Sequence, residues 1–283
     1  MSAAPQPMTD RAVGYSSPLP HTRPHLGHAM ASEWTKLKSV RSTVLTLSSL
    51  VVSVVGIGLI VIAQTGSEDY LQLPFTAPAL FGLLVGQLAV MALGVLMMSS
   101  EYGTGLIRTT FTAAPDRARV LTAKYLVFGI TTFLATAGSV YLVGLATMLA
   151  HGDTAAGPHP GDAWLDALAG SFYVTLLGVL AVAVGALVRH SAGAIAVMLG
   201  VVTLPPLIGG IISVWEATAP AGRVLLEYNA PVALMQLFGM PDSGTSPASL
   251  MGLPGNATHL AVIVVATAAA VAGSYVVTGR RDV

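Results

Sequence analysis

The second of six long stretches without Asp, Glu, Lys or Arg, residues 70–100, reads YLQLPFTAPALFGLLVGQLAVMALGVLMMSS. A helix rises about 1.5 Å per residue, so roughly 20 apolar residues cross a hydrocarbon core of about 30 Å. The other charge-free stretches are also long enough for one crossing each, and they are 42–67, 125–152, 167–188, 190–215 and 243–279. The pattern predicts an all-α integral membrane protein.

The overall composition supports the same fold class. Hydrophobic residues make up 54% of the chain and charged residues 9%, whereas a soluble domain carries roughly 25% charged residues. There is no cysteine, which excludes disulfides and thiol chemistry. We predict membrane helices at about 43–63, 77–98, 125–149, 168–188, 192–213 and 259–279.

The basic residues predict the orientation of the chain in the membrane. Twelve of the 13 Lys and Arg side chains fall on one side of the predicted spans, and only Arg223 falls on the other. The positive-inside rule makes the basic side cytoplasmic. The two sides then carry net charges of +7 and −7. We therefore expect a multi-pass protein of the cell membrane with both termini in the cytoplasm, and the scarcity of lysine is typical of a GC-rich bacterial genome.

The N-terminal region divides into a tail and a helix. Residues 1–25 contain five prolines and no apolar run, which predicts a disordered cytoplasmic tail. Residues 26–41 predict an amphipathic helix at the membrane interface, with Trp34 at the depth of the head groups and lysines near the phosphates. Such a helix is either a simple anchor or a mechanical strut. Its apolar stripe comprises Leu26, Met30, Trp34, Leu37 and Val40, and its lysines are Lys36 and Lys38.

A short helix is predicted on the opposite side, within the long segment 214–258. Asn229 followed by Pro231 is a typical helix start. Val232, Met235 and Phe238 follow at helical spacing. A helix at about 230–239 is too short to span, so we expect it to be interfacial or re-entrant before the last span.

Glycines and prolines within the spans indicate close contacts and an irregular helix. Gly82 and Gly86 form a GxxxG step, and Gly94 was expected on the same face. Such a face packs closely on another helix, in the same chain or in a second subunit. Pro205 and Pro206 predict a break or sharp bend, which is either passive or lines a solute path.

No predicted span carries an ionisable Asp, Glu, Lys or Arg, and Gln87 is one of few polar side chains there. Ion-coupled carriers usually bury such charges, because the charge couples the ion to transport. Catalytic pairs at helical spacing are also lacking, which disfavours an intramembrane enzyme. Energy for transport would therefore have to come from another protein.

The segment between spans two and three, residues 99–124, mixes charges with apolar side chains. Its pattern predicts a short surface helix that docks on a partner, with a flexible start at the Gly103–Gly105 pair and a stop at Pro115. The candidate residues for this contact are Glu101, Gly103, Leu106, Ile107, Arg108, Phe111, Pro115, Arg117 and Lys124.

These motifs resemble those of the membrane-spanning permeases of ABC-2 type exporters, here of an actinobacterial kind. The resemblance rests on Glu101 at the end of span two, Gly103-Thr104, the Leu106–Thr110 helix, Pro115 with Arg117, and Lys124 entering span three. The amphipathic start, residues 32–42, and the six-span plan agree with it. The similar region is 26–283, which would form one permease domain.

The resemblance implies that two permease chains, identical or different, bind separate ATPase subunits through the 99–124 segment and the N-terminal strut. ATP would bind to those partners, because this chain has no GxxxxGK[ST] phosphate loop and needs no cofactor or metal of its own. The expected partners are the ATPase, a second permease chain and the lipid bilayer, with no nucleic acid. The alternative is an ATP-independent membrane scaffold or channel-like subunit.

Overall fold

The computed structural model describes residues 25–71, 73–113, 116–152, 160–240 and 255–280. In the described residues the regular elements are helices, and one short 3-10 turn covers Asp69–Leu71. The predicted tail and Pro115 lie outside the described residues, apart from His25. The helices are α1 Leu26–Ser39, α2 Arg41–Gln64, α3 Ala77–Gly103, α4 Leu106–Ala113, α5 Arg117–His151, α6 Pro160–Val188, α7 Ser191–Ile212, α8 Ala219–Glu227, α9 Ala230–Leu237 and α10 Gly255–Arg280.

Six of these helices, α2, α3, α5, α6, α7 and α10, are long and apolar enough to cross a membrane. Each contains one predicted span, except that the span predicted to end at residue 213 extends one residue beyond α7. The prediction of an all-helical fold with six candidate membrane spans is therefore confirmed. Two helices begin about eight residues earlier than their predicted spans: α6 begins at Pro160 instead of near residue 168, and α5 begins at Arg117 instead of near residue 125. Asp116 caps this earlier start, because its side chain accepts a hydrogen bond from the Arg119 backbone N–H at 3.1 Å.

Helices α3 and α6 form the centre of the bundle. Helix α3 packs against α2, α5, α6 and α7, and α6 packs against α3, α5, α7 and α10. Their shared core includes Leu83, Phe128 and Leu177, all of which are fully buried. The outward faces of the long helices remain apolar, as at Leu134 and Val265. Faces of this kind suit a lipid solvent better than water.

The glycines of α3 allow the helix backbones to approach closely. A Cβ on Gly82 would lie 2.5 Å from Val54 Cα, and a Cβ on Gly86 would lie 2.8 Å from a Leu50 methyl carbon. The GxxxG step therefore packs on α2 of the same chain, which answers a question that the sequence left open. The expectation that Gly94 shares this face is wrong, because Gly94 packs on Gly178 and Ala181 of α6.

Helix α7 runs without interruption through Pro205 and Pro206. The predicted break is therefore absent, and the alternative of a sharp bend stays a prediction. A proline removes its own N–H donor, but its fixed φ is compatible with a helix, and the following residues can still bond to the preceding turn. Both prolines are half-buried, and their neighbours Leu204 and Leu207 are exposed on the outside of the single-chain bundle.

Two short helices, α8 and α9, cover the end of the bundle opposite α1. The sequence predicted only the second of them. Its start is confirmed, since the Asn229 side chain accepts a hydrogen bond from the Val232 N–H at 3.0 Å. Its buried face differs in part from the predicted spacing: Phe238 is buried together with Ala233, Leu234 and Leu237, while Met235 is exposed.

Replacing Asn229 with alanine should destabilise the protein by about 1 kcal/mol, because the first turn of α9 loses its cap. Asn229 is 3% exposed, so water cannot easily replace the lost acceptor. Asn229→Ser is the matched control, since serine keeps an oxygen at the capping position. Unfolding in detergent micelles should show a smaller loss for serine than for alanine, and equal losses would contradict the capping role.

Candidate functional site

One end of the bundle collects most of the charged side chains that the structure describes. Helix α1, the end of α3, helix α4 and the start of α5 meet there, together with the last turn of α10. We call this region the charged end. Residues 99–124, which the sequence singled out, form its centre.

Four charged side chains at this end form a closed ring. Lys36 Nζ donates to Glu33 Oε1 at 2.6 Å and to Glu101 Oε1 at 3.0 Å. Lys124 Nζ donates to Glu33 Oε2 at 2.7 Å and to Glu101 Oε1 at 2.8 Å. Each ammonium therefore contacts both carboxylates. This charge ring, Glu33, Lys36, Glu101 and Lys124, joins α1 to the end of α3 and the start of α5.

The charge ring is largely closed to water. The side chains of Lys124, Glu33 and Glu101 are 1%, 3% and 8% exposed, and only the Lys36 side chain reaches 36%. Two positive and two negative charges cancel, so the ring has no net charge. A buried ion pair adds little stability by itself, but removing one partner leaves the other charge without compensation. The ring therefore specifies how α1 sits on α3 and α5.

Lys36 remains protonated in this environment. Burial by itself lowers the pKa of Lys36, but the hydrogen bond to Glu33 and the negative charges of Glu101 and Glu33 outweigh it. The pKa consequently lies above its ordinary value of 10.5. A raised pKa means that the contribution of this ammonium is complete at neutral pH and is lost only in strongly alkaline solution.

Helix α1, Leu26–Ser39, forms over most of the predicted range 26–41, and the face that it buries combines Leu37 of the predicted stripe with Glu33, which lies off that stripe. Glu33 and Leu37 face the bundle, whereas Trp34 is 43% exposed with Lys38 Nζ over its ring at 4.5 Å from the ring centre. Glu33 was not among the predicted site residues. Its position one helical turn before Leu37 was the available signal, because residues at i and i+4 share a face. The interfacial position of α1 stays a prediction.

The predicted surface helix in the 99–124 segment is present as α4, Leu106–Ala113. Gly105, with φ of +74°, makes the turn between α3 and α4, a conformation that glycine adopts without strain. Ile107 is buried in the core, while Leu106 is 55% exposed and Arg108 is also exposed. The side chain of Phe111 lies outside the described residues.

The predicted coupling residues therefore separate into two groups. Glu101, Ile107 and Lys124 are internal and hold the charged end together. Gly103, Leu106 and Arg108 are at the surface. Only the second group is placed to touch a partner directly, and the first group can act only by positioning it.

Arg117 is placed to link two long helices. Its Nη1 donates to the Thr278 carbonyl at 3.1 Å, in the last turn of α10. Two side-chain hydrogen bonds continue this contact, Thr122 with Tyr275 and Tyr125 with Ser274, each at 2.7 Å. A cation near a helix C-terminus satisfies carbonyls that have no partner within the helix. The start of α5 is thus bonded to the end of α10.

The connection between α6 and α7 also packs on the charged end. Arg189 has a φ of +59°, and its guanidinium carbon lies 4.9 Å from the centre of the Tyr102 ring. Cations at this distance from an aromatic face are attracted to it. The contact places the α6–α7 turn beside the last turn of α3.

The other predicted positions lie away from the charged end. Gln87 is 2% exposed within α3 and donates to the Leu84 carbonyl at 3.1 Å. Gly82 and Gly86 are buried against α2, and Pro205 and Pro206 are half-buried on α7. Among the described residues, no three His, Asp or Glu side chains are close enough together to hold a metal ion.

Comparisons with known proteins identify no relative. No family model, no curated protein and no solved structure matches the chain.

Proposed function

We propose that this chain is the permease subunit of an ATP-driven exporter, which forms the membrane pathway and receives motion from a separate ATPase. The observation that carries the proposal is the charge ring, which bonds α1, α3 and α5 into one unit directly beside α4. A connecting loop needs no such bracing. A surface that receives mechanical force does need it, because force applied to a loose helix would be absorbed locally.

The route of the force follows from the contacts. A partner pressing on Leu106 and Arg108 would move α4, and Ile107 anchors α4 in the core. Helix α4 continues into α3 through the turn at Gly105. The charge ring would then carry the displacement to α1 and α5, and Arg117 would carry it on to α10. Helices α4, α3, α1, α5 and α10 would then move together.

The proposal assigns the charged end to the cytoplasm, in agreement with the excess of basic residues there. It also calls for a second permease chain. On α7, the side chains of Leu204, Leu207 and Ile211, close to the half-buried Pro205 and Pro206, are exposed in a single chain. A pathway along this face would therefore have to be closed by another subunit.

The proposal is tested by recovering the partner. The tagged chain is purified from its native membranes in mild detergent, and co-purifying proteins are identified and assayed for ATP hydrolysis. Arg108→Glu should reduce recovery of the ATPase about tenfold or more, because a charged residue at the centre of an interface is a typical binding hot spot. Arg223→Glu is the control, since Arg223 is also exposed but lies at the opposite end.

Equal recovery of the ATPase with both variants would contradict docking at α4. The alternative function, a channel-like subunit, would be supported by the following pair of results. If no nucleotide-hydrolysing protein co-purifies, and the isolated chain in vesicles passes solute down its gradient, the chain is a channel-like subunit. Uphill transport by the isolated chain would contradict both.

A further inference from the structure

A cavity of about 470 Å³ adjoins the charge ring. It lies between α1, the start of α2, the end of α3 and the exposed Leu106 of α4. Volumes of about 300–1,000 Å³ are typical of sites for small molecules. All four members of the charge ring line the cavity, and it has no role in the force route described above.

The lining changes in character from one part to another. The charge ring and the hydroxyls of Ser42 and Thr43 supply the polar part. Leu93, Leu96 and Met97 of α3 supply the apolar part. A cavity that is polar in one part and apolar in another fits an amphiphile, because a fully polar ligand would leave the apolar part unfilled and a hydrocarbon would leave the charges without partners.

Glu101 and Lys36, two members of the charge ring, have unused hydrogen-bonding capacity. Glu101 is 6% exposed, and its Oε2 is buried without a hydrogen bond in the described part of the chain. A buried carboxylate oxygen without a donor is costly, so it indicates a missing partner. Lys36 Nζ donates two hydrogen bonds, and an ammonium has three donors. One N–H of the partly exposed Lys36 is therefore left for an acceptor.

We propose that this cavity binds a zwitterionic phospholipid with a primary ammonium, the chemistry of phosphatidylethanolamine. The lipid ammonium donates to Glu101 Oε2, and the lipid phosphate accepts from Lys36 Nζ. The first part of an acyl chain lies along Leu93, Leu96 and Met97. Because Oε2 is buried in the free protein, the Glu101 side chain must rotate to present this oxygen to the lipid ammonium.

The charge of the ring selects this ligand over others. Two lysines and two glutamates give no net charge, so a neutral zwitterion matches the site better than an anionic lipid does. The position of the cavity also favours a phospholipid. Helix α2 begins and α3 ends beside it, and lipid head groups lie where membrane helices end. The inference requires only that these helices cross a bilayer, and it does not depend on the ATPase.

The experiment measures lipid binding to the purified full-length chain by native mass spectrometry. Phosphatidylethanolamine, phosphatidylcholine and phosphatidylglycerol with identical acyl chains are titrated separately. The ethanolamine lipid should bind about tenfold more tightly than the choline lipid, because choline cannot donate a hydrogen bond to a buried carboxylate. Equal affinities, or tighter binding of the anionic glycerol lipid, would overturn the proposal.

Two pairs of variants locate the site. Lys36→Gln should weaken binding of phosphatidylethanolamine about tenfold, and Lys38→Gln, which changes an exposed lysine outside the cavity, should not. Leu96→Trp fills the apolar part and leaves the charge ring intact, so it should abolish binding of phosphatidylethanolamine. Leu88→Trp, on the outer face of α3, should leave binding unchanged. Equal effects within either pair would overturn the assignment.

A competition experiment distinguishes a bilayer lipid from a small polar ligand. Free glycerophosphoethanolamine has the same zwitterionic head group and no acyl chain. Failure to displace phosphatidylethanolamine at millimolar concentration supports an amphiphile site. Displacement at micromolar concentration would show that the apolar part of the cavity is not used and would overturn the lipid assignment.

Discussion

Replacing Lys124 with methionine should lower the free energy of unfolding by about 3–5 kcal/mol, because Glu33 and Glu101 would lose a buried counter-charge. Lys124 is 1% exposed and contacts both carboxylates. Lys36 would remain as the only cation of the ring, and it is held partly in solvent. Two buried carboxylates that share one cation must either repel each other or bind a proton.

The measurement is reversible unfolding in mixed micelles at neutral pH. Lys38→Met is the matched control, since Lys38 lies on the same end of the protein and contacts only the face of Trp34 among the groups described. That substitution should cost less than about 1 kcal/mol. Equal unfolding free energies for Lys124→Met and the parent protein would show that the ring is unimportant for stability.

A combined variant distinguishes the cost of an uncompensated charge from the loss of packing. Glu33→Leu, Glu101→Leu and Lys124→Met together remove the three most buried charges. Apolar replacement of a whole buried ion cluster is often neutral or stabilising. The triple variant should therefore be more stable than Lys124→Met alone. If it is less stable, the ring contributes net favourable energy that apolar packing cannot replace.

The second large effect is expected at the contact between α2 and α3. Gly82→Ala should destabilise the protein by about 1–3 kcal/mol, because overpacking at a tight contact forces the backbone to move. The new Cβ would lie 2.5 Å from Val54 Cα, 2.7 Å from Val54 O and 2.9 Å from Ser53 O. All three are backbone atoms, so no rotation of a side chain can relieve the contact.

Gly138→Ala in α5 is the control for this prediction, since no atom lies within 4 Å of a Cβ built there. Alanine has the higher helix propensity, so this variant should be neutral or more stable by up to about 1 kcal/mol. Both variants are measured by the same unfolding experiment. A neutral Gly82→Ala would mean that α2 and α3 are free to separate and that the glycine step is not a fixed contact.

Several local features followed from the sequence because they depend on short windows of residues. Asn229 caps α9 as predicted, and α4 forms within the 99–124 segment. The sequence did not reveal features that neighbouring helices decide. The apolar stripe of α1 did not indicate that the bundle also buries Glu33, whose counter-charge Lys124 comes from a different helix. Local periodicity carries no information about such a partner.

The number and placement of the six apolar helices were determined by the sequence alone, because an uninterrupted apolar run of sufficient length is a property of neighbouring residues. The tertiary structure decided which groups meet. Lys124 and Glu33 are 91 positions apart in the chain, and Gly94 contacts α6 instead of α2. A contact between distant positions depends on how the helices are rotated and offset against each other, and that is fixed only when all of them pack together.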